Sequence, residues 1–422
     1  MQDEELIDQM VQRLGRELKS VLAKVREGRM PGRAIEQVIR QGLWHVGAQA
    51  LGVLYEALDR GLTAQRAVHD HRTRTVVSLF GPVDISRARC RQGEGWRYPL
   101  DEALGLQGNR GWTVGVQEAV SLLSCETGFE TVADLMHRFF GVSLTAPTAQ
   151  ELAESAGQRA ADLPAAGPKD SVPDTLIVAT DGCQAPQRDG WHEVKMATIY
   201  AKQSRGRTAG NRGFLRHKQY VASLEDSRGF GTLLELQGQA WQVHKARRVV
   251  LMGDGAAWIW NLAEMHFPQA VEIVDFYHAA EHLWAAGEAL WGNRDTSAAT
   301  RSWVRRYRRR LKDGRVDLVM AGMERGQVQR QGRLGAEAAK TVRLNLEYFR
   351  RNAERMRYGR FRQMNLPIGT GAVEGACKHV VQSRFKRPGT RWSAEGLRCM
   401  LALKVLRVNE QWERLWPEMK VA

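Results

Sequence analysis

The sequence RRVVLMGDGAAWIWNLAEMHFPQAVEIVDFYHAAEH, residues 247–282, decides the fold. An apolar run, 249–252, ends in Gly253-Asp254-Gly255, and a second, 270–274, ends in Asp275 with His278 three residues further on. Short apolar runs bounded by Gly and acidic residues are typical of buried strands. Ligand sites of open α/β sheets lie at the carboxyl ends of their strands. We therefore expect a sheet that presents carboxylates at one edge.

Three further strands are predicted before this stretch. The first, 176–179, ends at Thr180-Asp181-Gly182, and the second and third are 194–201 and 219–224, separated by a basic, Gly-rich loop at 205–216. A helix follows at 229–240. Three strands, a helix and then strand–helix–strand is the order of an RNase H-like mixed sheet flanked by helices. We therefore predict an α/β fold with an RNase H-like mixed sheet, and residues 175–278 form the first part of this core.

The rest of the chain is predicted to be mainly helical. Helical spacing of apolar residues fills most of 1–162, and Gly81-Pro82 lies inside a predicted β-hairpin at 73–90. Residues 129–157 have the pattern of a helix-turn-helix, which either enters a DNA major groove or is a structural helix pair. Four more segments are expected: a Pro-rich linker at 163–174, the core from 175 to 278, an all-α insertion at 279–365, and C-terminal helices at 366–422 that carry a third acid.

The excess positive charge is confined to one part of the chain. The net charge is +15, and residues 301–410 hold 27 Lys and Arg against 9 Asp and Glu, whereas the remainder holds 35 against 38. Such a concentration indicates a polyanionic partner, and nucleic acid is the first candidate, with a solvated basic surface as the alternative. The expected contacts are Trp303, Arg305, Arg306, Lys378, Arg384, Lys386, Arg387 and Arg391.

The five cysteines are scattered, and none belongs to a CxxC pair. Neither a disulfide framework nor a cysteine zinc site is therefore predicted. No apolar run approaches the roughly 18 residues that a membrane span needs, and the acidic, amphipathic N-terminus differs from a signal peptide. A cytoplasmic protein is the simplest expectation.

Three acids stand out by position: Asp181 after the first strand, Asp254 after the fourth, and Glu374 on a late helix. The first and fourth strands of an RNase H-like sheet are neighbours, so their terminal acids would converge and a helix could add the third. Three carboxylates can hold two Mg²⁺ or Mn²⁺ ions about 4 Å apart. The alternative is that each is an ordinary strand-end or capping acid.

Several motifs together resemble the DDE transposases of bacterial insertion sequences, in particular the ISKra-type group, which is related to the Mutator-like class. The resemblance rests on DG at 181–182, GDGAAWI at 253–259, DFYHAAEH at 275–282, GTGAVEGACKHVVQSRFK at 369–386 and GTRWS at 389–393. It covers roughly 175–410. It implies an RNase H-like fold, metal-dependent DNA cleavage and strand transfer, with Asp181, Asp254 and Glu374 as the catalytic, metal-binding triad.

The resemblance also implies an acid, two residues and a histidine after the fifth strand, which Asp275 and His278 match. A histidine there could hold the scissile phosphate or transfer a proton. Asp275, His278 and His282 share one helical face and could instead bind Zn²⁺. Relatives often have a cysteine-containing segment after the hairpin, but Cys90 is alone, so no zinc is predicted there. The chain reads PGTRWS where a methionine is expected before Arg-Trp.

These patterns predict a transposase that binds the terminal repeats of its element and target DNA as double-stranded DNA. It would cleave each element end and join the 3′-hydroxyl to the target, acting as a dimer or larger assembly. Two alternatives stay open: an RNase H-like structure-selective nuclease without strand transfer, and a domesticated, non-catalytic DNA-binding protein.

Overall fold

The computed structural model describes residues 2–93, 95–106, 111–168, 173–207 and 213–416. The chain forms two compact units. One runs to Arg159 and also takes in Trp416, and the other is Ala160–Leu415. The second unit thus begins three residues before the predicted linker, of which 169–172 lie outside the described residues. Among the described residues, no helix combines the length and apolarity needed to cross a membrane.

The first unit is mainly helical and holds the predicted hairpin. Its elements are α1 (Gln2–Arg26), α2 (Gly32–Thr63), β1 (Val68–Ser78), β2 (Gly81–Gln92), β3 (Gly95–Arg97), α3 (Pro99–Ala103), α4 (Val114–Ser124), α5 (Phe129–Phe140) and α6 (Ala146–Ala161). The hairpin strands are longer than predicted at both ends. Its turn is Leu79-Phe80, because Ser78 pairs with Gly81.

The predicted helix pair at 129–157 is present as α5 and α6. Gly141 ends α5 in the left-handed conformation, with φ at 65°, which suits a residue without a Cβ. Its amide donates to the carbonyl of His137 at 3.0 Å. Val132, Met136 and Leu152 join one buried apolar cluster. That cluster accounts for the helix pair by packing, while DNA contact by this pair stays a prediction.

The second unit is built on a five-stranded mixed sheet. Its strands are β4 (Thr175–Gln187), β5 (Gly190–Ala201), β8 (Lys218–Ser223), β9 (Arg248–Gly253) and β10 (Val271–Val274). They lie in the order β10-β9-β4-β5-β8. β4, β9 and β10 are parallel to one another, and β5 runs antiparallel to both β4 and β8. The predicted neighbourhood of the first and fourth strands, β4 and β9, is therefore confirmed.

β4 is longer than predicted. The sequence places its end before Asp181, but the strand continues to Gln187 because β5 pairs with it along its whole length, as far as Gln187 and Gly190. Asp181 is therefore inside a strand and pairs with Met196. Of the predicted loop 205–216, residues 208–212 lie outside the described residues, and its flanks form a ribbon of β6 (Arg205–Arg207) and β7 (Gly213–Leu215).

Helices complete the second unit. They are α7 (Ser227–Ala240), α8 (Ala257–His266), α9 (Phe276–Trp291), α10 (Ala298–Lys312), α11 (Val316–Gln329), α12 (Ala336–Arg351), α13 (Tyr358–Gln363), α14 (Gly371–Ala376), a π-helical segment (Cys377–Gln382), α15 (Ser383–Phe385) and α16 (Ala394–Val408). Short 3₁₀ turns occupy Lys202–Ser204, Val243–Lys245, Ala353–Met356 and Trp412–Arg414. α14 packs on β4 and β5, while α10 and α12 pack on α9. The predicted C-terminal region also includes 417–422, which lie outside the described residues.

Candidate active site

The strand register brings Asp181 and Asp254 to the same level of the sheet. Parallel pairing of β4 with β9 ends at Ala179 and Met252, and each acid lies two residues beyond the end of this β4–β9 pairing. The Thr180 hydroxyl donates to the carbonyl of Met252 at 3.0 Å and holds the two strands together at this point. Two acids that are 73 residues apart in the chain are therefore neighbours at the sheet edge.

Asp254 lies in a turn that its own side chain stabilises. Its Oδ1 accepts from the amide of Ala256 at 2.9 Å, and its carbonyl accepts from the Tyr348 hydroxyl at 2.7 Å. Gly255, which follows Asp254, has φ of +104°, and a Cβ there would lie 2.7 Å from the Tyr348 ring. Only glycine suits both the backbone angle and the close approach of the ring.

Asp181 is half-buried and carries a perturbed carboxyl group. Its Oδ1 accepts from the amide of Gly182 at 2.8 Å. Burial, with a smaller contribution from the negative charges of Asp254 and Glu374, raises the pKa of Asp181 to about 6, against the lowering effects of the Gly182 hydrogen bond and of His278. Both other acids of the predicted triad are thus close enough to Asp181 to act on its charge.

Glu374 is the exposed member of the three and lies on α14. The position of α14 is fixed by Asp275, because the amide and the hydroxyl of Thr370, which precedes the helix, donate to Asp275 Oδ2 at 2.5 and 2.8 Å. A second link joins the Phe276 amide to the Ile368 carbonyl at 2.8 Å. The segment that carries Glu374 is therefore tied to the end of the fifth strand.

The structure gives Asp275 a positioning role. The residue is 1% exposed, and its Oδ1 accepts from the amide of His278 at 2.8 Å as the N-cap of α9. With both oxygens engaged by α9 and by Thr370, the carboxylate anchors two helices. The sequence prediction placed Asp275 among the catalytic residues, and its burial and three hydrogen bonds do not support contact with a substrate.

His278 and His282, both on α9, lie beside Tyr348 of α12. The His282 ring stacks on the Tyr348 ring with centroids 3.7 Å apart, and its Nδ1 lies 2.7 Å from the side-chain oxygen of Asn345. Burial lowers the pKa of His282, which favours a neutral ring. His278 is half-buried and lies 3.7 Å from Glu281. Of the two, His278 is the one whose charge acts on Asp181.

Two thiols adjoin the acids and were missed by the sequence prediction. Cys377, in the π-helical segment, donates towards Asp181 Oδ2 across 3.9 Å. A hydrogen bond with Cys183, burial and the negative charge of Asp181 together raise the pKa of Cys377, so its thiol is protonated at neutral pH. Spacing alone contained a signal: Cys183 is two residues after Asp181 on a strand, and Cys377 is three residues after Glu374 on a helix.

The three carboxylates are neighbours without forming an assembled metal-binding cluster. Within the ranges that the structure describes, no group of three or more His, Cys, Asp or Glu side chains is arranged to hold a metal ion. Their oxygen donors nevertheless match a hard divalent cation. Burial is the main cause of the raised pKa of Asp181, and the repulsion by Asp254 and Glu374 adds to it; a bound cation would relieve both. Joint coordination of a cation by all three carboxylates would therefore require side-chain movement. Glu374 is the exposed one of the three, so its side chain has the most freedom to move.

The predicted DNA contacts differ in accessibility. Lys378, Lys386 and Arg391 are exposed, as are Arg305 and Arg306 on α10. Arg387 is half-buried. Trp303 is half-buried against Tyr307, with centroids 4.7 Å apart. Arg384 is only 1% exposed, and its guanidinium lies 4.9 Å from the Trp392 ring. Its burial removes Arg384 from the residues that a DNA strand can touch.

Comparison with known proteins gives the chain a family. The uncharacterised protein family UPF0236 matches residues 30–418. A Streptococcus gallolyticus protein named "UPF0236 protein in vanSb 3'region" is 23% identical over 392 residues, which cover 87% of this chain and 81% of that relative. The family match, 30–418, covers parts of both units and the positions of all three acids. This chain therefore belongs to the uncharacterised protein family UPF0236.

Proposed function

We propose that this protein is a DDE-type DNA transposase, which cleaves the ends of a mobile DNA element and joins them to target DNA. The observation that carries the proposal is that Asp254 and Glu374 lie close enough to Asp181 to add to the effect of burial, and together these effects raise its pKa to about 6. The strand order β10-β9-β4-β5-β8 with antiparallel β5 supports an RNase H-like core. The perturbed carboxyl group of Asp181, with two further acids near it, favours a functional site over ordinary capping acids.

Asp181, Asp254 and Glu374 would hold two Mg²⁺ or Mn²⁺ ions. When bound, the ions would activate the attacking hydroxyl and stabilise the leaving oxygen. The protein's own part is placement. Tyr348 fixes the backbone of Asp254, and Asp275 holds the segment that carries Glu374. His278 is close enough to Asp181 to affect its charge and could donate to a phosphate oxygen.

The proposed reaction has two steps. Water attacks the phosphorus at the element end, and the bond from that phosphorus to the 3′ oxygen breaks, which frees a 3′-hydroxyl. That hydroxyl then attacks a target phosphodiester in line, so that one phosphorus–oxygen bond forms as another breaks. The second step conserves the number of phosphodiester bonds and needs no nucleotide cofactor. A pair of ends held together requires a dimer or larger assembly.

Exposed cations supply the proposed DNA contacts. α10 carries seven Lys and Arg residues and no acid. A groove of ≈ 440 Å³ beside it is lined by Arg301, Arg305, Arg308, Arg309 and Lys312 above Phe276, Val304 and Trp284. Phe276 directly follows Asp275, which holds the segment that carries Glu374. The groove provides basic contacts for a DNA backbone. A substrate of this kind implies that the protein acts at the bacterial nucleoid.

The test is an integration assay with a supercoiled plasmid and precleaved oligonucleotide ends, taken from the DNA that flanks the coding sequence. The proposal predicts Mg²⁺-dependent joining of the oligonucleotide to the plasmid. Nicking without joined product would instead favour a structure-selective nuclease. DNA binding with neither reaction would favour a non-catalytic DNA-binding protein. Either of these two results would overturn the transposase assignment.

A further inference from the structure

A cleft of ≈ 890 Å³ lies beside α14. It is lined by the β6–β7 ribbon, by Tyr200 near the end of β5, by Lys218 and Tyr220 of the edge strand β8, and by α14. The predicted basic loop at 205–216 contributes the ribbon, although nothing in the sequence indicated that the ribbon would face the helix that carries Glu374.

The cleft and the acids share one face of the sheet. Asp181 pairs with Met196, and Met196 pairs with Ala222. Side chains alternate along a strand, so Tyr200 and Lys218, which pair with each other four residues further on, point to the same face as Asp181. Four residues of strand correspond to about 13 Å.

Aromatic and basic groups lie beside one another on β8 and next to the β6–β7 ribbon, which line the cleft opposite α14. The Lys218 ammonium lies 5.4 Å from the Tyr220 ring centroid, and the Arg216 guanidinium lies 5.5 Å from that of Phe214. Arg205 adds a further exposed cation. Burial raises the pKa of Tyr200 to about 12, so its hydroxyl is protonated and can donate. Tyr200 and Tyr220 are only 3% and 8% exposed, so the half-buried Phe214 of the ribbon is the ring that a base can reach. A ring for base stacking beside cations for phosphates is what single-stranded DNA sites combine.

Two glycines leave part of the helix side of the cleft without side chains. Gly371 and Gly375 of α14 line it, and a Cβ added at either would meet no described atom within 4 Å. The helix therefore offers backbone and open space where side chains would otherwise stand. A sugar–phosphate backbone can approach this wall closely. Neither glycine has a positive φ, so the space, and not the backbone angle, distinguishes these positions.

We propose that this cleft binds an unpaired segment of the DNA strand that leads to Asp181, Asp254 and Glu374. The proposal rests on the proposed function. An aromatic face can stack only on a base that has left the duplex stack, so the chemistry favours a single strand over a double helix. The cleft lies about 13 Å along the strand direction from the level of Asp181, so a strand several nucleotides long, and not a free nucleotide, would use the cleft together with the acids.

The test measures binding of a fluorescent oligo-dT of about 12 nucleotides to the full chain by anisotropy, in chelator. Gly375→Leu fills the cleft, and Lys218→Ala removes a cation. Each has a matched control, Gly61→Leu on an exposed turn of α2 and Lys245→Ala at an exposed site near α7. The expected result is a loss of affinity of roughly tenfold in each cleft variant, with the two controls unchanged.

Three results would overturn the cleft assignment: cleft variants that bind as tightly as the parent, controls that lose as much, or competition by thymidine monophosphate at the concentration at which the oligonucleotide competes. Circular dichroism and thermal melting verify that each variant is folded. This binding assay needs neither metal nor catalysis, so its failure is separable from failure of the transposase proposal. If integration depends on the acids while Gly375→Leu binds normally, only the cleft assignment falls.

Discussion

The hydroxyl of Tyr348 donates to the backbone carbonyl of Asp254 at 2.7 Å, although the two residues are 94 positions apart. Tyr348 belongs to α12, inside the helical segment that separates the fifth strand from α14. Burial, together with the negative charges of Asp254 and Asp275, raises the pKa of Tyr348, so this donor is permanently protonated. The helical segment thus supports the loop that presents one of the three acids.

Tyr348→Phe should lower activity more than stability. The change removes one neutral hydrogen bond, which is worth about 1 kcal/mol, and leaves the Asp254 carbonyl without that donor. We expect a modest fall in melting temperature and a fall in the rate of DNA cleavage of several-fold. Tyr55→Phe, which removes a hydroxyl from α2, is the control. Equal cleavage rates in the two variants would contradict a role of Tyr348 in placing Asp254.

Asp181→Asn should increase stability at neutral pH. The folded-state pKa of Asp181 is raised from 3.8 to about 6, so the folded chain binds more protons than the unfolded chain between these values. Stability therefore falls as pH rises from about 4 to about 6 and stays lower above that range, by on the order of 2 kcal/mol. Asparagine does not titrate, so the variant escapes this loss.

The measurement is chemical denaturation of both proteins in chelator at pH 4 and pH 7. We expect the variant to be the more stable at pH 7 and the difference to vanish near pH 4. Addition of Mg²⁺ at pH 7 should stabilise the parent and leave the variant unchanged. If the free energy of unfolding changed with pH in the same way in both proteins, the raised pKa of Asp181 in the folded chain would be contradicted.

Thr370→Val should weaken the use of metal ions without unfolding the protein. It deletes one of the two donors to Asp275 Oδ2, and hydrogen bonds to charged groups contribute about 1.5–3 kcal/mol. The start of α14 should then be less well fixed, and the Mg²⁺ concentration for half-maximal cleavage should rise several-fold. Thr341→Val removes a hydroxyl of α12 that bonds only within its own helix. A Mg²⁺ requirement that matches this control would rule out positioning through Asp275.

Arg305→Ala and Arg309→Ala should weaken DNA binding in a salt-dependent manner. Each lines the groove beside α10, and loss of one phosphate contact reduces the slope of log affinity against log salt by about 1. Arg343→Ala, an exposed site on α12, is the control. Affinity measured from low to physiological salt decides the point, since slopes unchanged from the parent would exclude phosphate contact by this groove.

The strands of the sheet could be predicted from the sequence because apolar runs are a local signal. The order of strands and helices along the chain then predicted that the first and fourth strands are neighbours. The apolar runs placed the end of β4 too early, since the length of that strand is set by its pairing with β5. Asp275 precedes His278 at the spacing of an N-cap and its third helical residue, and this capping pattern was available in the sequence. Its second role, as an acceptor for Thr370, depends on a contact 95 residues away.

Long-range packing explains the other differences. Tyr348 could not be assigned to the site from sequence because nothing near it specifies which strand end α12 approaches. Arg384 is one of several arginines in a basic segment, and only the fold shows that it packs against Trp392 while its neighbours Lys386 and Arg391 are exposed. The Cys183 and Cys377 thiols had suitable spacing, but their meeting beside Asp181 required β4 and the π-helical segment to be packed together.

The central claim is that Asp254, with Asp181 and Glu374, carries out metal-dependent DNA cleavage. Single-turnover cleavage of a labelled element end in Mg²⁺ tests it most directly, with folded Asp254→Asn compared with Glu264→Gln, an exposed acid on α8. We predict a loss of at least about 100-fold for Asp254→Asn, equivalent to roughly 2.7 kcal/mol in the barrier, and the parent rate for Glu264→Gln. Cleavage by Asp254→Asn at the parent rate would contradict the account.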